Sequence, residues 1–304
     1  MRIVSLLPSA TEIVYALGLD EQLVGVTFEC NEPVAARQTK QIVVGGRDTS
    51  GLSAIEIDEY VRSTLAAGGD LYTLHEGALT DLDPDLILTQ DLCRVCAVPT
   101  GQVREAVDHL GCSADVVTLD PYSLAEVLET ISTVALAAGV PERAGPLLAG
   151  LQARLEAVAA LVAGRPRPRV AVVEWVDPVF GAGHWMPDMV EVAGGTPVAC
   201  RPRQASTAIS WDDVRSARPE VVVVSPCGFD LEGAVAQAAR VASEVPGAEV
   251  WAVNGDALMV RPGPRLVDGV ETLAAILHPD LLRAGALTPA GRPLSATRLS
   301  GPHR

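Results

Sequence analysis

Ile3-Val4-Ser5-Leu6-Leu7-Pro8-Ser9-Ala10-Thr11-Glu12 opens the chain as a strand, a turn and the start of a helix. Ser9 followed three residues later by Glu12 fits a capping box, which predicts Ser9 as the N-cap. Ile13, Ala16 and Leu17 continue at helical spacing as far as Gly18, a fitting residue to close the helix. Further along, residues 23–27 read as a second strand, and Ile42-Val43-Val44 as a short third strand closed by Gly45-Gly46-Arg47. Asp85-Leu86-Ile87-Leu88-Thr89 is a buried strand that leads into Gln90-Asp91-Leu92-Cys93-Arg94-Val95-Cys96. Strands alternating with helices predict a parallel sheet covered on both faces.

A long Ala/Leu-rich helix is expected from Glu142 to about Val162, closed at Gly164 and stopped by Arg165-Pro166-Arg167-Pro168. A second α/β set then starts at Arg169-Val170-Ala171-Val172-Val173-Glu174-Trp175. It contains the apolar strands Val221-Val222-Val223-Val224 and Val250-Trp251-Ala252-Val253 and a last helix from about Leu266 to Leu277. Leu82-Asp83-Pro84-Asp85-Leu86-Ile87-Leu88 is echoed by Ala217-Arg218-Pro219-Glu220-Val221-Val222-Val223, so the halves read as similar lobes facing one another. The expected organisation is a Rossmann-like lobe over residues 1–140, a connecting helix over 141–165, a second lobe over 166–280 and a tail over 281–304, loosely held from Thr288 on.

At 304 residues, with 48% hydrophobic and 20% charged side chains, the chain can bury a large core. Aromatics make up only 4%, so that core has to be aliphatic. A formal net charge of −15 repels phosphate backbones and anionic lipid, which argues against nucleic-acid and membrane-surface roles. Met1-Arg2 runs straight into the first strand without a leader, and no stretch reaches the ~18 apolar residues of a membrane span. The expectation is a cytoplasmic protein whose six cysteines are reduced.

In open parallel sheets, ligands bind beyond the carboxyl ends of the strands. The first lobe places Cys30, Arg47, Cys93 and Cys96 there, and the second places Glu174, Trp175, His184 and Cys227. Thiolates suit zinc, copper(I) or iron–sulfur clusters, and CxxC spacing lets two sulfurs reach one metal. Cys30, Cys93, Cys96 and Cys227 are therefore candidate metal ligands converging on one cleft, with burial as small hydrophobes the plainer alternative. His184 and Trp185, in Gly181-Ala182-Gly183-His184-Trp185, would shape the pocket with Trp175, and Glu174 is a candidate cleft carboxylate. Arg261 and Arg265, in the proline-fixed loop Arg261-Pro262-Gly263-Pro264-Arg265, would join Arg47 on polar ligand edges. There is no Walker A motif, no GxGxxG after a strand and no GxSxG elbow.

Ser5-Leu6-Leu7-Pro8-Ser9-Ala10-Thr11-Glu12, Ala16-Leu17-Gly18, Leu23-Val24-Gly25-Val26, Pro84-Asp85-Leu86-Ile87, the single long helix and Arg261-Pro262-Gly263-Pro264-Arg265 together resemble the cobalamin- and siderophore-binding proteins of ABC importers. The resemblance covers about residues 1–280. It implies the class III binding-protein fold, two Rossmann-like lobes joined by one helix with a ligand held between them. Gly101-Gln102 stands where importer-coupled members would carry a docking Glu, which puts coupling to a permease in doubt. The reading is a binding protein for a small-molecule ligand, either a corrinoid (cobalamin) or another metal-containing compound. The alternatives are a zinc, iron–sulfur or thiol enzyme, and a metal or redox sensor.

Overall fold

Strand β1 (Ile3–Ser5) and helix α1 (Pro8–Ala16) form where the opening residues predict them, but the helix begins earlier than expected. Leu7 is its N-cap and Pro8 takes the first turn, where a missing N–H costs nothing. Ser9 and Glu12 therefore lie inside the helix and are buried, so the predicted capping box does not form. The computed structural model describes residues 1–47, 49, 51–75, 78–92, 100–110, 113–287 and 296–300.

The chain divides into two compact units. The first comprises Met1–Pro121 with Leu128–Ala149, and the second Tyr122–Val127 with Gly150–Arg304. After α1 the first unit continues through β2 (Leu23–Thr27), α2 (Val34–Thr39), β3 (Gln41–Gly46), α3 (Ala54–Ala66), β4 (Tyr72–Leu74), α4 (Ala78–Leu82), β5 (Leu86–Thr89), α5 (Thr100–Leu110) and β6 (Asp115–Thr118). Its sheet runs β4-β3-β2-β1-β5-β6, parallel except for the antiparallel edge pair β3–β4. Val4, Leu6, Val43, Val44, Leu79, Leu82 and Ile87 build its aliphatic core.

Helix α6 (Leu124–Ala137) begins in the second unit and ends in the first. A 3-10 turn, Pro141–Arg143, precedes α7 (Ala144–Val162), and the boundary between units falls inside α7, between Ala149 and Gly150. Gly164 follows with a φ of 71°, a left-handed turn that suits glycine at a helix end. Residues Pro141–Val162 are long and apolar enough by composition to cross a bilayer, yet Arg154 sits within them. Arg154 forks onto Glu271, with Nε 2.8 Å from Oε1 and Nη2 2.8 Å from Oε2, and Nη2 also reaches Asp268 Oδ1 at 2.5 Å. Hydrogen bonds to these two carboxylates raise the guanidinium pKa.

The second unit follows as β7 (Arg169–Val176), β8 (Val179–Gly181), α8 (Met186–Val192), β9 (Thr196–Pro197), β10 (Thr207–Ala208), α9 (Trp211–Ser216), β11 (Val221–Val224), α10 (Leu231–Glu244), β12 (Glu249–Val253), α11 (Gly255–Leu258), α12 (Leu266–Leu277) and α13 (Pro279–Arg283). A final strand, β13 (Ala296–Ser300), completes the sheet β10-β8-β7-β11-β12-β13, with β9 also paired to β7. Here β7, β11 and β12 are parallel, β8 and β13 run antiparallel to them, and β10 pairs antiparallel with β8 and so runs in the direction of β7. The expected loose tail is thus corrected over residues 296–300. β13 covers the open edge of β12, Leu299 packs on the core, and Arg298 Nε lies 3.3 Å from Glu249 Oε1.

The sequence echo is real at the level of hydrogen bonds. Asp85 N donates to Arg2 O at 2.9 Å, and Glu220 N donates to Arg169 O at 2.8 Å. In return the Asp85 carboxylate accepts from Arg2 N at 2.6 Å, and that of Glu220 from Arg169 N at 2.9 Å. The residues before the two prolines, Asp83 and Arg218, both adopt left-handed backbone, with φ of 40° and 49°.

Candidate functional site

At the carboxyl end of β7 the register against β8 slips between Val173 and Trp175, which leaves Glu174 as the extra residue of a bulge. Bulges re-aim side chains. Here the Glu174 carboxylate meets Ser206 Oγ, 2.7 Å from each of its oxygens, and accepts from Gly183 N at 3.0 Å. Burial lifts its pKa to about 7, against the opposing pull of the Ser206 and Gly183 hydrogen bonds. The residue keeps some exposure, which works against the full rise.

The same clasp fixes two loops. Arg201 N donates to Ala182 O at 2.9 Å, His184 N to Gln204 O at 2.7 Å, and Arg203 N to His184 O at 3.2 Å. Only glycine fits at 183, because a Cβ there would stand 2.4 Å from Gln204 O and 2.5 Å from Ser206 N. His184 itself is held in left-handed backbone, with a φ of 48°.

The His184 ring lies beside those of Tyr122, at 5.5 Å between centroids, and Trp185, at 5.4 Å. Its Nε2 is enclosed and makes no hydrogen bond among the described residues, and burial lowers its pKa, which favours the neutral ring. Trp185 is 4% exposed, with Nε1 donating to Met259 O at 2.8 Å. Tyr122 is 38% exposed and is the open end of this aromatic row. Its segment is tied to the second unit by Leu124 N donating to Asp188 Oδ2 at 3.0 Å.

Other sequence-predicted residues lie at neighbouring strand ends. Cys227 is exposed, and its N donates to Glu174 O at 3.3 Å. Trp175 packs on Phe229 at 5.7 Å and donates from Nε1 to Asp177 O at 3.1 Å. Arg261 Nη2 is paired with Asp256 Oδ2 at 3.0 Å, and Asp256 Oδ1 accepts from Gly228 N at 2.9 Å. Arg265 Nε donates to Ala257 O at 3.0 Å. Two of the three arginines expected on a ligand, Arg261 and Arg265, are therefore engaged in bracing their own loop.

The first unit supplies two expected residues. Arg47 stacks its guanidinium over the Tyr60 ring at 4.6 Å. Cys30 has no solvent exposure, and its sulfur lies 3.1 Å from Thr11 Oγ1 and 3.3 Å from Thr27 Oγ1. That is the setting of a packed thiol. Cys93 and Cys96 lie outside the described residues. Among the described residues, no group of three or more His, Cys, Asp and Glu is placed to hold a metal ion.

Sequence reasoning missed Tyr122, Ser206, Arg201 and Arg203. All lie in short irregular segments without periodicity, and only the tertiary structure brings them beside residues 182–185.

The chain matches the model of the periplasmic binding protein family over residues 3–252. It is 25% identical, over 93% of its length and 81% of the relative's, to an uncharacterised ABC transporter substrate-binding lipoprotein of Bacillus subtilis (strain 168). It is 24% identical, over 91% and 88%, to a vitamin B12-binding protein of Vibrio cholerae. A periplasmic heme-binding protein from Roseiflexus sp. RS-1 shares the fold with a TM-score of 0.68 and 22% identity, covering 91% of this chain and 98% of that one. The chain belongs to the periplasmic binding protein family and has the class III fold of that family.

Proposed function

We propose, with membership of the periplasmic binding protein family as premise, that this protein binds a metal-containing macrocycle of the corrinoid or porphyrin kind. The observation that carries the reading is the row Tyr122–His184–Trp185, three flat rings in one unit with an enclosed imidazole nitrogen that has no partner among the described residues. An unmet buried polar atom costs about 1–3 kcal/mol, and a ligand group reaching it would relieve that cost. A neutral imidazole is also a good donor to a metal held in a macrocycle. The names of the relatives, vitamin B12-binding and heme-binding, support the same class of ligand.

The reading takes ligand holding without delivery to a permease, since α5 opens on Thr100-Gly101 with no carboxylate in its first turn. It also places the protein in the cytoplasm, in keeping with the free thiols of Cys200 and Cys227, and cell fractionation checks that placement. No described residue cluster favours the zinc, iron–sulfur or sensor readings.

Absorbance and calorimetric titrations with cyanocobalamin and with haem test the proposal. The expected result is a dissociation constant of about 1 μM or tighter for one of them, weakened at least about tenfold by His184→Ala. Failure of both compounds to bind would remove the proposal.

A further inference from the structure

Arg201 and Arg203 stand on the loop that grips His184, and both side chains are exposed. Neither makes a side-chain hydrogen bond or ion pair among the described residues, although the chain carries 38 acidic groups. Arg261, Arg265 and Arg154, by contrast, are spent on internal partners. The loop bearing the unpaired pair is also held firmly. Backbone bonds tie it to Ala182 and His184, and Ser206 ties it to Glu174. Arg203 sits in left-handed backbone with a φ of 56°. Beside it lies a shallow depression of about 200 Å³ lined by Gly181, Ala199, Cys200, Arg201, Thr207 and Ile209.

Two exposed cations on a braced loop, without side-chain partners among the described residues, in a protein of net charge −15 mark a place where the surface attracts anions against the field of the whole. Guanidinium pairs best with carboxylate, through two parallel N–H bonds. We infer that Arg201 and Arg203 form an anion-recognising rim beside the aromatic row, selecting a macrocycle with peripheral carboxylates over one decorated with neutral amides. This rests on the binding role proposed above and narrows its ligand class.

The test uses the full chain and the double variant Arg201→Gln/Arg203→Gln, whose changes at exposed positions leave the core intact. The probes are haem, haem dimethyl ester, cyanocobalamin and citrate, read by tryptophan quenching and calorimetry at low and high salt. Haem is expected to bind at least about tenfold tighter than its ester, with the advantage lost in the variant and reduced by salt. Equal binding of haem and its ester, or of haem to both proteins, would overturn the rim while leaving the macrocycle reading intact. Tighter binding of cyanocobalamin than of haem would do the same. If no macrocycle binds but citrate does, and only to the unmodified chain, the rim survives and the macrocycle reading falls. Binding of none of the four probes overturns both.

Discussion

The two units are near copies at the amino ends of β5 and β11 and differ at the carboxyl ends of their strands. At the amino ends, an arginine backbone and an acidic side chain exchange the same pair of hydrogen bonds in each. At the carboxyl end of the first unit's sheet, Ser5, Thr11, Thr27 and Cys30 form a buried knot of hydroxyls and one thiol, with Thr11 Oγ1 donating to Ser5 Oγ at 2.9 Å. At the corresponding end of the second sheet the polar centre is a half-buried ionisable carboxylate, Glu174, and its partners belong to the loops that carry His184, Arg201 and Arg203. The repeated end fixes the architecture. The end that diverges is the one where open sheets bind ligands.

The strongest way to break the contrast is Gly183→Ala. Its new Cβ would force the 204–206 backbone away from Glu174, at a cost of about 3 kcal/mol by chemical denaturation. A cost below about 1 kcal/mol would mean the clasp is loose.

A smaller effect separates the two centres by pH. The Glu174 pKa near 7 lies above the 4.5 of the free side chain, so between those values the native chain binds more protons than the unfolded one. Its stabilising contribution is present below pH 4.5 and is lost as pH rises through about 7. Glu174→Gln removes this slope, so the stability difference between the two proteins should change by about 2 kcal/mol between pH 4.5 and 8, allowing for partial exposure. Parallel stability curves for the two proteins would show that the carboxylate titrates as it does in water.

The least costly change sharpens the comparison from the other side. Thr11→Val keeps the shape and removes the hydroxyl that bridges Ser5 and Cys30, at about 1 kcal/mol. That cost should be the same at pH 5 and pH 8, because a threonine hydroxyl carries no charge in that range. A pH-dependent cost would erase the distinction between the two centres.

Much of the fold was legible in the residues. Valine runs such as 221–224 have no reading other than buried strands, and the paired Pro-acid turns announce a repeated unit. Pro8 was the signal that the cap lies at Leu7 and not Ser9, and the competing Ser9–Glu12 pattern hid it. β4 and β13 were missed because short edge strands carry little periodicity, and β13 is fixed by the open edge of β12 rather than by its own sequence. In the candidate site, position after a strand singled out Glu174 and His184, and the glycine loop before a helix singled out Trp185. The partner Ser206 lies 32 residues from Glu174 and leaves no local trace.

Sequence alone determined the alternation of strands and helices, the aliphatic cores, the two-fold repetition and the acidic surface, since each depends on local periodicity or on composition. Tertiary structure decided which arginines are engaged with partners inside the chain, that the Cys30 sulfur is packed between two threonines, and that a bulge turns Glu174 onto Gly183 and Ser206. Those outcomes depend on which atoms meet across tens of residues, and hydrogen bonding and desolvation act on that distance in space rather than on order along the chain.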